Sequence, residues 1–326
     1  MTEKKTSDRS QNNAGMRYES VQYVEIDENN DQQRIDNFLL ATLKGVPRSR
    51  IYRILRKGEV RVNKKRCKAI QRLAIGDIVR IPPIRVSTAK ITEFIPDFLK
   101  TALQQNILFE DDSLMVINKP AGFAVHGGSG ISSGIIEGLR SIRPDARFLE
   151  LVHRLDRDTS GCLIIAKKRS ALRNLHELFR GDGIDKTYQA LLVGRWQRKK
   201  LVVDVPLLKN VSKGGERMVV VSKQGKQSET LFRRIQTFEE CTWVEAMPKT
   251  GRTHQIRVHA AWLGHAIVGD ERYGQEQQNR SFKKIGFKRL VLHARRLVFK
   301  HPDSGETITI EAPLPDDLEK SIKQLW

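Results

Sequence analysis

The sequence predicts an α+β protein of two domains: a small module of helices and strands, then a larger domain built on one sheet. Three observations carry that expectation. At 326 residues the chain exceeds the roughly 100 to 200 residues that one domain usually spans. Between Gln33 and Lys57 apolar residues recur at helical spacing. Beyond Ile107, apolar runs of strand length alternate with helical stretches and glycine-rich turns.

Composition narrows the function. The 58 Lys and Arg residues against 38 Asp and Glu leave a formal charge of +20, which on a soluble chain points to a polyanionic partner, nucleic acid first. An anionic membrane would need a basic amphipathic helix or a lipidation signal, and neither is read here. Cys67, Cys162 and Cys241 are few, odd in number and far apart, so they form neither a disulfide framework nor a zinc spacing. A reducing, cytoplasmic setting is expected. Met1 to about Ala14 is polar and charged, and residues 1–17 are expected to form a disordered leader rather than a signal or membrane span.

The elements follow in order. Ile35, Phe38, Leu39 and Leu43 predict a helix within Gln33–Lys44 that stops near Gly45 and Pro47. Ser49 is expected to cap a second helix. That helix carries Ile51, Ile54 and Leu55 on one face and Arg48, Arg50, Arg53, Arg56 and Lys57 around the rest. Gly58 ends it, Val60 and Val62 alternate as a strand, Asn63-Lys64 turns, and Gly76-Asp77 leads into a strand at Ile78–Ile81. Pro82-Pro83 closes the module. Residues 85–105 read as a linker with one helical turn. Leu114-Met115-Val116-Ile117, Cys162-Leu163-Ile164-Ile165-Ala166 and Tyr188-Gln189-Ala190-Leu191-Leu192-Val193 read as strands, and the polar stretch from Gln275 to Lys288 as a loop.

Two short helices, the Gly-Glu-Val-Arg-Val-Asn strand and turn, and Gly-Asp before a last strand resemble the S4 RNA-binding domain, over about Gln33–Ile81 within residues 18–84. The resemblance implies a reader of RNA shape and phosphate, because A-form helices offer phosphates and hydroxyls more readily than base edges. Arg48, Arg50, Arg53, Arg56, Lys57, Lys64, Lys65 and Arg66 are its candidate contacts.

The chemistry concentrates in His153-Arg154-Leu155-Asp156-Arg157-Asp158-Thr159-Ser160-Gly161. One carboxylate among basic residues is by default a solvated ion pair. Three further segments change its weight: Asn118-Lys119-Pro120-Ala121-Gly122, Lys186-Thr187-Tyr188-Gln189-Ala190, and Gly251-Arg252-Thr253-His254-Gln255-Ile256-Arg257-Val258-His259. In this order, behind an S4-like module, the four resemble the pseudouridine synthases of the ribosomal large-subunit type. Arg34 to Leu39, Lys44 to Pro47, Val125 to Gly130 and Phe148 to Val152 extend the likeness over nearly the whole chain after the leader.

That resemblance implies a large mixed, mainly antiparallel sheet over residues 106–326. It implies isomerisation of uridines to pseudouridine in 23S ribosomal RNA at several separated positions, on RNA that is protein-free or in assembling large subunits. It also implies a monomer with no metal and no cofactor. The reaction breaks a carbon–nitrogen bond, turns the base and makes a carbon–carbon bond. It needs a carboxylate in a partly buried pocket, a stacking surface, a proton-transfer group and extraction of the uridine from its helix.

By the family pattern Asp156 is the nucleophile, and Arg257 the cation that favours its ionised form, with Arg252 the alternative. Tyr188 stacks on the base or transfers a proton, against a strand-packing role. Arg154 enters the RNA near the flipped uridine or clamps its phosphate. His153 either supports the loop or touches RNA. Thr159, Ser160 and Gly161 are expected to hold the turn through side-chain-to-backbone bonds and backbone freedom.

Asp158 is a rival carboxylate only outside that register. His254 and His259 are five apart, and the glutamate of His-Glu-x-x-His is missing, so a zinc protease is excluded. Gly127-Gly128-Ser129-Gly130 lacks the Walker lysine and reads as an RNA-facing loop or a simple turn. Two other functions stay open: action on transfer RNA, and a ribosome-assembly protein without turnover.

Overall fold

The computed structural model describes residues 20–326 apart from 29, 44, 85–94, 128–133 and 212–216. The expected leader, the first half of the expected linker, Lys44 and most of the Gly127–Gly130 loop lie outside the described residues. The chain divides into two compact units, Met1–Thr92 and Glu93–Trp326.

In the first unit β1 (Gln22–Glu25), α1 (Ile35–Thr42), α2 (Arg48–Lys57), β2 (Arg61–Val62), β3 (Lys65–Arg66) and β4 (Ile78–Ile81) follow one another. The strands pair antiparallel in the order β1-β4-β2-β3. Ile35, Phe38 and Leu39 of α1 and Ile51, Ile54 and Leu55 of α2 are buried in one core. Gly58 closes α2 in the left-handed region (φ 70°), and Asn63 and Lys64 (φ 48° and 67°) make the expected turn. Ser49 is not the cap. The helix starts at Arg48 behind Pro47, whose fixed φ suits a helix entry.

The second unit runs α3 (Asp97–Gln105), β5 (Ile107–Glu110), β6 (Leu114–Lys119), α4 (Ile135–Ile142), β7 (Glu150–Leu151), β8 (Ser160–Ala166), α5 (Arg169–Arg180), β9 (Ile184–Val193), β10 (Lys200–Asp204), β11 (Leu207–Val211), β12 (Arg217–Val221), β13 (Glu229–Thr237), β14 (Cys241–Pro248), α6 (Gln255–Trp262), α7 (Glu276–Lys284), β15 (Leu292–Lys300), β16 (Thr307–Glu311) and α8 (Asp316–Lys323). One sheet takes the order β10-β13-β14-β9-β15-β8-β6-β5, with β16 beside β15 and β7 beside β8. Within it β8 and β15 pair parallel and the other neighbours antiparallel, as a mixed, mainly antiparallel sheet requires. The α+β expectation holds.

The apolar runs are continuous because both faces of this sheet are covered. On β6 and β8, Met115, Ile117, Leu163 and Ile165 join Leu99 and Leu103 of α3 and Ile135 and Leu139 of α4 in one cluster. The alternate residues Leu114, Val116, Cys162 and Ile164 pack with Leu175 of α5 on the other side.

Two expectations need correction. Residues 97–105 are a helix, not linker: Leu99 and Leu103 are almost wholly buried, each stabilising by about 2 kcal/mol, and two residues at that spacing are too few to announce a helix. Within the expected loop from Gln275 to Lys288, Glu276–Lys284 is helical although Phe282 is its one buried residue. Tertiary contact decides it, since Phe282 joins Val268, Phe287 and Leu318 in a cluster that the local pattern cannot display.

Candidate active site

Asp156 sits in the turn that feeds β8. Along the sheet Gly161 of β8, Ala294 of β15 and Tyr188 of β9 lie side by side in register. Two small residues therefore separate the Asp156 turn from the tyrosine ring. Gly161 must be glycine: its φ is 110°, and a Cβ there would lie 2.3 Å from the Ala294 carbonyl oxygen.

The turn is held from three sides. Lys119, fully buried at the end of β6, donates its ammonium to the carbonyls of Pro120 (2.8 Å) and Arg157 (3.0 Å), and Gly122 N–H donates to the same Arg157 carbonyl at 2.9 Å. Burial lowers the Lys119 pKa to about 7, against the pull of Asp158 and Asp156. Asp156 itself accepts from the Thr159 N–H through its carbonyl at 3.2 Å. Ser160 does not brace its own turn as expected, for its hydroxyl meets His293 Nδ1 on the adjoining strand at 2.9 Å.

His153, half-buried at the wall of the same hollow as Asp156, makes contacts that support the loop. Its Nε2 accepts the Ile164 N–H at 3.0 Å, and its ring stacks 4.7 Å from that of Phe179. Burial, helped by the Lys186 charge, drives its pKa down to about 3, and burial takes His293 to about 4. Both bases stay neutral in the fold while the unfolded chain protonates near pH 6.5, so acid favours unfolding. Unfolding free energy should fall by about 2–4 kcal/mol between pH 7 and pH 5, at about 1.4 kcal/mol per unit for each ring once below pH 6.5. Urea melts measure it, and a flat profile over that window would refute the neutral-histidine reading.

Arg257 reaches the site from the first turn of α6. Gln255 anchors that helix start, donating to the Glu229 carbonyl and Thr230 hydroxyl (both 2.9 Å) and accepting from the Thr250 hydroxyl (2.7 Å) and Arg252 N–H (3.0 Å). Arg257 donates Nη1 to Asp156 Oδ2 at 3.2 Å and, through Nε and Nη2, grips both oxygens of Asp270 at 2.8 Å. Burial opposes its charge, but the hydrogen bonds and charge of Asp270, with Asp156, outweigh it and raise the guanidinium pKa. The Asp270 side chain is wholly buried, whereas 19 % of the Asp156 side chain stays exposed. Asp270 is thus the buried counter-ion and Asp156 the carboxylate that borders the hollow. Arg252 instead donates Nε to the Gln227 carbonyl at 3.0 Å.

Asp270 carried no signal in the sequence. Its Oδ1 accepts the N–H groups of Arg272 (3.0 Å) and Tyr273 (3.1 Å), and Asn279 on α7 donates to its carbonyl at 3.0 Å. The helix missed in the sequence therefore positions the carboxylate missed with it. Tyr273 lies under the Arg257 guanidinium, 5.1 Å from ring centre to carbon. His254, with φ 53°, places Nε2 3.7 Å from Asp156 Oδ1.

Asp156, Arg154, Leu155, His254 and Arg257 border two hollows. One, about 510 Å³, also takes in Tyr188, Lys186, Arg252 and Phe179. The other, about 920 Å³, is walled by Arg157, Arg272, Lys288 and Arg289, with Asp158 and Glu271. The half-buried Tyr188 packs beside Ala294 and Ala246, and burial together with Asp156 raises its pKa, which keeps the phenol protonated. Arg154 is exposed at the rim.

In the S4-like unit Arg48, Arg53, Arg56, Lys57, Lys64, Lys65 and Arg66 are exposed and Arg50 is half-buried. The Arg48 guanidinium lies 5.6 Å over Tyr52, whose hydroxyl donates to buried Asp36 at 2.7 Å. Tyr52, Arg56, Arg66 and Lys68 line a hollow of about 560 Å³.

A family model described as RNA pseudouridylate synthase matches residues 113–262, and one described as S4 domain matches residues 33–79. The chain belongs to the pseudouridine synthases, enzymes that isomerise uridine in RNA. It is 56% identical over 306 residues to the ribosomal large subunit pseudouridine synthase C of Yersinia pestis, covering 94% of this chain and 96% of that one. The protein of the same name in Escherichia coli (strain K12) is 54% identical over 309 residues, covering 94% and 97%. Among solved structures, human RNA pseudouridylate synthase domain containing 4 aligns with a TM-score of 0.58 at 28% identity, over 70% of this chain and 96% of that one. Among the described residues no helix is long and apolar enough to cross a membrane.

Proposed function

We propose that this enzyme converts specific uridines of 23S ribosomal RNA to pseudouridine at several separated positions. It acts in the cytoplasm, as a monomer, on RNA that is protein-free or in assembling large subunits. The name shared by its bacterial relatives supports the substrate, and the charge of +20 suits it. The observation that carries the reading is the Asp156–Arg257 ion pair of 3.2 Å, at the wall of a hollow that also holds Tyr188.

In this reading the target uridine leaves its helix and enters the hollow of about 510 Å³. Arg154, exposed at the rim, occupies the gap or holds the flanking phosphate. Asp156 acts as the nucleophile while the bond from C1′ to N1 breaks. The base turns, C5 bonds to C1′, the bond to Asp156 is released, and the proton lost from C5 is matched by one gained at N1. Arg257 balances the carboxylate charge throughout. Tyr188 supplies a stacking face, and its protonated phenol is suited to donate a hydrogen bond rather than to take a proton.

A pseudouridine map of ribosomal and transfer RNA from cells with and without the gene tests the reading. Sites lost from the large-subunit RNA are expected. Sites lost from transfer RNA alone, or none lost, would overturn it.

The S4-like module, residues 18–84, is proposed to grip RNA phosphates. Neutralising the exposed Arg53, Arg56 and Lys57 together should weaken RNA binding. It should also flatten the slope of log affinity against log salt by up to about 0.7–0.9 for each lost phosphate contact. Unchanged affinity and slope in a salt titration would count against contact at that helix.

A further inference from the structure

His254 occupies the cap position before α6, yet its side chain makes no cap bond and its backbone sits in the left-handed region at φ 53°. A non-glycine residue held there needs its surroundings to over-determine it. The ring supplies the reason. Nδ1 lies 2.7 Å from the Tyr273 hydroxyl, while Nε2 faces Asp156 Oδ1 at 3.7 Å.

The hydrogen-bond chain points to one tautomer. Val219 on β12 donates its N–H to the Tyr273 oxygen at 3.2 Å, so that oxygen is already an acceptor and its own proton is directed to Nδ1. Nδ1 then has no proton and Nε2 carries one. The opposite tautomer would aim the Nε2 lone pair at the carboxylate and leave the tyrosine proton without this acceptor.

We propose that His254 is a positioning residue for Asp156, donating Nε2–H toward Oδ1 in a tautomer set by the Tyr273 hydroxyl. With Arg257 on Oδ2, both carboxylate oxygens then have a donor and the carboxylate plane is fixed. The present 3.7 Å is longer than a hydrogen bond, and such contacts tighten when substrate closes the site. Around the ring stand Asp156 from the β8 turn, Arg257 from α6, and Asp270, Arg272 and Tyr273 from the segment before α7. Burial lowers the His254 pKa more than the Asp156 charge raises it, in keeping with a neutral donor. The inference rests on the pseudouridine synthase reading for its catalytic consequence, but not for its geometry.

Two measurements test it. Nitrogen-15 NMR of the wild-type enzyme reads the tautomer without RNA. The Nε2–H form is expected, and an Nδ1–H form overturns the proposal whatever the activity. Single-turnover pseudouridine formation on large-subunit RNA then separates the side chains. His254→Gln places an amide N–H near Nε2 and is expected within about threefold of wild type. His254→Asn, whose amide reaches only the Nδ1 position, and His254→Ala should both lose about 10- to 100-fold at unchanged RNA affinity, a deficit of the size a misplaced catalytic group produces. Tyr273→Phe keeps the ring under Arg257 and should fall between them. Gln and Asn variants of equal rate, or Ala at wild-type rate, refute the inference alone. A wild-type enzyme that forms no pseudouridine in the same assay refutes the functional reading instead, leaving the tautomer to decide the geometry.

Discussion

Asp156→Asn is expected to lower single-turnover pseudouridine formation by about 10⁴-fold or more, the usual scale for loss of a nucleophile, with RNA affinity within about threefold of wild type. The amide is isosteric, so the turn held by Lys119 and Gly122 should persist. Arg257 keeps both bonds to Asp270, so no buried cation is stranded. Chemistry and folding are thereby separated. Product at wild-type rate would remove Asp156 from the role of nucleophile, whereas lost RNA binding would assign it to recognition.

Asp270→Ala is the second large effect, and it strikes both stability and rate. The Asp270 side chain is wholly buried and accepts two guanidinium bonds of 2.8 Å and two backbone N–H bonds. Removing it leaves Arg257 with the longer hydrogen bond to Asp156 and the face of the Tyr273 ring, and breaking a buried pair of this kind costs about 3–5 kcal/mol. A guanidinium freed to follow Asp156 also spoils the geometry of the site, and a displacement of about 1 Å is worth about 100-fold in rate. Denaturant melts and single-turnover rates together measure this. A variant with wild-type stability and rate would show that Asp270 does not position Arg257. Asp270→Asn keeps one acceptor and should lie between the two, which distinguishes lost charge from lost shape.

Much of the site was legible in the sequence because its parts sit on short, chemically dense segments. A carboxylate between two arginines, a strand tyrosine and an arginine three residues after a histidine stood out because their segments, taken together and in order, resemble a known family; singly, each reads as an ordinary ion pair or packing residue. The S4-like helix was equally plain, since Ile51, Ile54 and Leu55 leave a face of cations that no core could hold. His153 was ambiguous from sequence, where a ring that accepts a strand N–H and a ring that touches RNA look alike.

By itself the sequence determined the α+β class and the basic N-terminal module. Each of these depends on residue type and on spacing of a few positions, which determine local backbone preference and charge. Only the tertiary structure decided which groups meet. Gly161, Ala294 and Tyr188 become neighbours through strand register across more than a hundred residues. Asp270 reaches Arg257 because Asn279, on a helix without an apolar repeat, holds its carbonyl. The physical reason is the same in both cases. Register and buried ion pairs are selected by the packing of distant elements, and a carboxylate that will be buried against a guanidinium looks in sequence like any other acid.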